Sequence, residues 1–155
     1  MPNYLTQQEA FLKCKKEGKF IPKEEISIER IRATLAIAEA DIASADLIKK
    51  NLQQESSQWS SVYKLYYDAL HELAESLLYL EKIKVDNHQC LFAYLCEKHP
   101  ELELSWDFFE KVRTKRNGIH YYGTPVRYSD WKDAELQFRL YVTTLQQEVM
   151  KRVSL

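Results

Sequence analysis

The stretch SIERIRATLAIAEADIASADLIKKNL, from Ser27 to Leu52, decides the fold. Its apolar residues Ile28, Ile31, Leu35, Ala38, Ile42, Ala45, Ile48 and Leu52 recur at steps of three or four, which is one face of a helix. None of the chain's three glycines and four prolines lies between Lys23 and Lys98. Those residues are the main punctuators of chain direction, so the gap itself predicts long helices. Ser27 is a good N-cap. Arg30 stands where a capping box wants Glu, so only half of that motif is expected. The pattern predicts a helix over residues 27–54, ended by the polar run Gln53 to Gln58.

The same spacing continues outward. Trp59, Val62, Tyr66, Leu70, Leu73, Leu77 and Leu80 predict a second helix, Trp59 to Lys84. Two helices joined by a short polar turn are expected to lie antiparallel. Asp86 or Asn87 is expected to cap a shorter third helix through Leu91, Tyr94 and Leu95, stopped by His99-Pro100. A fourth begins near Ser105-Trp106-Asp107 and runs on until Gly123 and Pro125 break the chain. Ser129 or Asp130 is expected to cap the last, with Trp131, Ala134, Phe138, Tyr141, Leu145 and Val149 on one side. No strand-like alternation competes. Residues 1–26, interrupted by Gly18 and Pro22, read as an arm with a short helix, and residues 27–155 as one helical domain. The expected class is all-α, an antiparallel up-and-down bundle of four to five helices.

Composition narrows the function classes. The chain has 155 residues, 45% hydrophobic and 29% charged, the balance of an ordinary folded domain rather than a disordered one. A formal net charge of -1 supplies no global basic field, so any nucleic-acid binding must come from a local patch. Three cysteines, Cys14, Cys90 and Cys96, are an odd and sparse set. They imply no disulfide framework, and a cytoplasmic location is expected. No apolar run approaches the ~18 residues of a membrane span, so no membrane is expected as a partner.

The chemistry concentrates in RTKRNGIHYYG, Arg113 to Gly123. Arginine presents a fixed positive fork to phosphate oxygens, and histidine moves a proton near neutral pH. His120 suits a base or acid role, and Arg113 or Arg116 suits stabilisation of a developing phosphorane charge. Asn117 can orient imidazole or phosphate, and Lys115 and Tyr121 are candidate substrate or nucleotide contacts. Gly118 either lets the helix end or lets a phosphate approach closely. A plainer reading stands beside this one. Cations near a helix C-terminus complement its dipole, and Gly118 or Gly123 is an ordinary C-cap. His88, Cys90, Cys96 and His99 lie on or just after one helix, along ~16 Å, too spread to surround zinc. Glu72, Glu75 and His71 have no matching ligand pair elsewhere. No metal and no cofactor are expected.

The order of elements and this segment together resemble the HEPN (higher eukaryotes and prokaryotes nucleotide-binding) domain. Three features carry the resemblance: two long opening helices, the second tyrosine-rich (Tyr63, Tyr66, Tyr67); a shorter helix starting Asp86-Asn87-His88; and Arg-Asn…His-Tyr-Tyr-Gly before a final helix. It covers residues 27–152. The resemblance implies a metal-independent endoribonuclease, often a toxin, working as a homodimer whose two motifs face each other. It also implies an antitoxin partner, a minimal nucleotidyltransferase that in one group adenylylates the tyrosine of His-x-Tyr, a position matched here by Tyr122. In the family, roughly four to six residues separate Arg from His. Arg116 has the expected polar follower, Asn117, but three residues separate it from His120, whereas six separate Arg113 from His120. Either Arg113 is the functional arginine, or the short spacing marks a branch that binds a nucleotide or a partner protein without cleaving RNA. A helical adaptor with no ligand is the third reading.

Overall fold

Ser27 begins the first long helix as a cap: its Oγ accepts from the Arg30 amide at 3.2 Å. That helix, α2 (Ile28–Lys49), belongs to a set of six α-helices in the computed structural model, which describes residues 5–154. The others are α1 (Gln7–Lys16), α3 (Trp59–Leu80), α4 (His88–Lys98), α5 (Trp106–Tyr122) and α6 (Tyr128–Val153). The expected all-helical class is therefore observed, with one exception. Two-residue strands β1 (Ile21–Pro22) and β2 (Ile83–Lys84) pair antiparallel, Ile21 opposite Lys84 and Pro22 opposite Ile83.

Side-chain contacts fix the direction of each helix. Arg30, at the start of α2, lies over the ring of Tyr79, at the end of α3, while Tyr66 donates to Asp46 at 2.6 Å. The two helices are antiparallel. In α6 the order is reversed: Trp59 packs on Tyr128 and Trp131, Tyr66 on Trp131 and Phe138, and Arg152 reaches Glu81. Thus α6 runs parallel to α3 and antiparallel to α2, to which Lys49–Glu135 (2.7 Å) and Arg139–Asp46 (3.1 Å) join it. α5 returns antiparallel to α6, with Phe108 against Phe138 and Tyr141, and Lys115 near Asp130. α3 is the central rod. Val62, Tyr63, Tyr66, Tyr67, Leu70, Leu73 and Leu77 are buried there, so it contributes the largest part of the core. Burying an aromatic or leucine side chain contributes about 1.5–3 kcal/mol, which makes this continuous stripe the main hydrophobic driving force.

Several boundaries differ from the periodicity. α2 stops at Lys49 rather than residue 54, and Trp59 Nε1 donates to the Gln53 carbonyl, pinning the connection. α3 stops at Leu80 rather than Lys84, because Lys82 takes a left-handed conformation (φ 63°) that turns the chain into β2. Asn87, one of the two expected caps, begins α4, and its side chain accepts from the Cys90 amide at 2.9 Å. The cap of α6 is Arg127, not Ser129 or Asp130; Asp130 instead accepts from the Arg127 amide at 3.0 Å. The cysteine expectation needs the largest correction. Cys14 and Cys90 form a disulfide between α1 and α4, leaving Cys96 as a buried thiol. Ala10 and Phe11 pack into the core beside it, and Trp106 Nε1 donates to the Leu5 carbonyl at 2.8 Å. The N-terminal helix is thereby stitched to the bundle.

Candidate functional site

α5 carries the Arg/His segment. Ser105 caps it, accepting from the Phe108 amide, and Phe108, Phe109 and Val112 bury its inner face. The helix runs through Gly118 without a break and ends at Gly123, whose φ of 62° is the left-handed C-cap conformation that glycine adopts without steric cost. The Thr124 amide closes the end by donating to the Gly118 carbonyl at 3.0 Å. Gly118 is therefore an interior helical residue, and the expectation that it releases the chain is corrected. Helical continuity also places Arg113, Arg116 and His120 on one face, since their steps are three and four.

The structure separates the two arginines. Arg113 donates from Nε and Nη2 to both oxygens of Glu110, at 2.9 and 3.0 Å. Glu110 is only 2% exposed and also accepts from Gln89 Nε2 at 3.1 Å. A bidentate pair with a buried carboxylate commits the Arg113 charge within α5, while Gln89 ties the same carboxylate to α4. Arg116 has no carboxylate within ion-pair distance among the described residues, and Asp68 acts on it from farther away. Its guanidinium lies 5.5 Å from the Tyr67 ring centroid, and its buried Nε has no hydrogen-bond partner among the described residues. Buried polar atoms without partners are uncommon in native folds and call for an explanation.

Around Arg116 a groove opens between α4 and α5, lined by Asn87, His88, Gln89, Arg113, Arg116, Asn117 and Tyr121. His120 is exposed, one turn beyond Arg116. Tyr121 and Tyr122 are 71% and 80% exposed, so neither is a packing residue. Lys115 points the other way, pairing with Asp130 at 3.2 Å, and is not brought into the groove.

The groove has a floor that sequence reasoning left unassembled. Tyr67 Oη lies 2.9 Å from His88 Nδ1, and the His88 and His71 rings stack at 4.0 Å. Burial, then His88 and Arg116, push His71 down to about 3. Burial, then Arg116 and Arg113, lower His88 as well. Both rings are held uncharged. Beside His71 on α3, burial and repulsion from Asp41 and Asp68 push Glu72 up to about 8, and one turn earlier burial raises Asp68 against the pull of Arg116 and His120. His71, at position 71 of α3, and His88, at the first turn of α4, lie 17 residues apart in sequence, and no local pattern announces their contact. His88 and His99 do not converge: His99 sits between Glu81 and Glu101, and Cys90 is bonded to Cys14.

No family model, curated protein or solved structure matches this chain.

Proposed function

We propose that the chain is a HEPN-type protein that binds RNA and cleaves it without metal, with Arg116 as phosphate ligand and His120 as a proton-transfer residue. One observation carries the reading: Arg116 lines a groove with no ion-pair carboxylate among the described residues, and His120 stands exposed one turn farther along the same unbroken helix. A phosphate oxygen in the groove can accept from the Arg116 guanidinium, and a charge-assisted bond of that kind is about twice as strong as a neutral one. Arg113 acts indirectly, since it neutralises the buried Glu110 carboxylate through which Gln89 joins α4 to α5 at the groove. Asn117 lies on the groove wall where it can orient phosphate or imidazole, and Tyr121 offers a face for base stacking. A homodimer and a nucleotidyltransferase antitoxin belong to the same reading. The exposure of Tyr122 supports it as a residue that a modifying enzyme can reach.

The test is cleavage of a single-stranded RNA in EDTA. Wild type is expected to cut, and His120→Ala and Arg116→Ala are each expected to lower the rate by ~10²-fold or more. The commitment of Arg113 to Glu110 and the short Arg116–His120 spacing favour a second reading, a non-catalytic nucleotide-binding module. RNA or mononucleotide binding without cleavage, lost in Arg116→Ala, would establish that instead.

A further inference from the structure

A phosphodiester transesterification needs one group to take the 2′-hydroxyl proton and another to protonate the leaving oxygen. His120 supplies one. We propose that His88 of the same chain is the other, acting as the base. This rests on the cleavage reading above and deepens it.

His88 begins α4, where the Asn87 cap fixes the first turn, and it faces Arg116 and Asn117 across the groove. Its Nδ1 is engaged by Tyr67 Oη, which leaves Nε2 for a ligand. The 2.9 Å contact admits either tautomer, and the step uses the one with the proton on Nδ1, donated to the Tyr67 oxygen, in which Nε2 presents a lone pair. The supporting groups make this a built arrangement. His71 stacks on the ring from below, Phe92 packs edge-on against His71 and Tyr67, and Arg116 covers Tyr67. Burial and the two arginines keep the imidazole neutral, which is the form a base requires.

In the step, His88 Nε2 takes the proton of the 2′-hydroxyl and that oxygen bonds to phosphorus. The bond from phosphorus to the 5′-oxygen breaks, and the departing oxygen takes a proton from His120. The products are a 2′,3′-cyclic phosphate and a 5′-hydroxyl, with nothing else consumed. Proton exchange with water then resets both rings. Arg116 holds the phosphate oxygens throughout.

The experiment is single-turnover cleavage of an unstructured RNA oligonucleotide in EDTA across pH 5–9, with RNA affinity measured in parallel. His88→Ala is expected to lose ~10²–10⁴-fold in rate with unchanged affinity and to lose one limb of the pH–rate profile. Added imidazole is expected to restore part of the rate. His88→Gln keeps a group able to bond Tyr67 and is expected to show the same loss, which covers the case of a poorly folded alanine variant. If both His88 variants keep the rate and both limbs while His120→Ala is inactive, the inference is overturned and the cleavage reading survives. A wild type that binds RNA but never cleaves it overturns both.

Discussion

Glu72 is the residue whose surroundings leave it least comfortable as an anion. It stands with Asp41, Asp68 and Glu75 at the α2–α3 seam, and its buried Oε2 has no donor among the described residues. Its pKa is raised from 4.5 to about 8, so it contributes stability that is complete below pH 4.5 and is lost as pH rises through about 8. His71 works in the opposite direction. Its value falls from 6.5 to about 3, so its contribution is complete above pH 6.5 and is lost as pH falls toward 3. Glu72→Gln removes only the first slope. The melting temperature of the variant is expected to gain on wild type as pH rises from about 5 to 9, and parallel melting curves across that range would refute the assignment. At this scale the sequence was half legible. Arg113 and Arg116 look equivalent as letters, and only the burial of Glu110 one turn away shows that one of them is spoken for.

Among the elements, α5 offers the sharpest test, because it holds two glycines with opposite roles. Gly118 is helical, and a Cβ added there would meet only Thr124 Cβ, at an ordinary 3.7 Å. Gly118→Ala is expected to stabilise the protein by ~0.5–1 kcal/mol, the helix-propensity gain. Gly123 has a φ of 62°, so Gly123→Ala is expected to cost about 1 kcal/mol, because an L-residue is strained there. Urea melts of the two variants check both signs. Helix positions were legible because three- and four-residue spacing is a local property, as in the caps Ser27, Asn87 and Ser105. The ends were not. Lys82 turns the chain with a left-handed conformation that its side chain does not signal, and β1 meets β2 across 60 residues of sequence with nothing periodic to mark either. The groove was legible only on its α5 side. Its α3 and α4 side depends on His71 and His88 meeting, which is a fact of packing.

For the whole molecule, the bond between Cys14 and Cys90 matters most, since it spans 76 residues and ties the N-terminal helix to the element that carries His88. Closing a loop of that length removes chain entropy from the unfolded state worth ~4 kcal/mol. A reductant is expected to lower the denaturation midpoint of wild type and to leave Cys14→Ser unaffected; an equal shift in both would show that the bond contributes nothing. The parallel alignment of α6 with α3 has a consequence of its own. α2 and α3 are neighbours in sequence and can zip together as a local hairpin, whereas Trp59 and Trp131 meet across 72 residues. Loop closure over that distance comes after local pairing. The flank of the central rod that α6 covers therefore stays bare until that sequence-distant helix docks, so the core is completed by a long-range contact rather than by the hairpin that begins it.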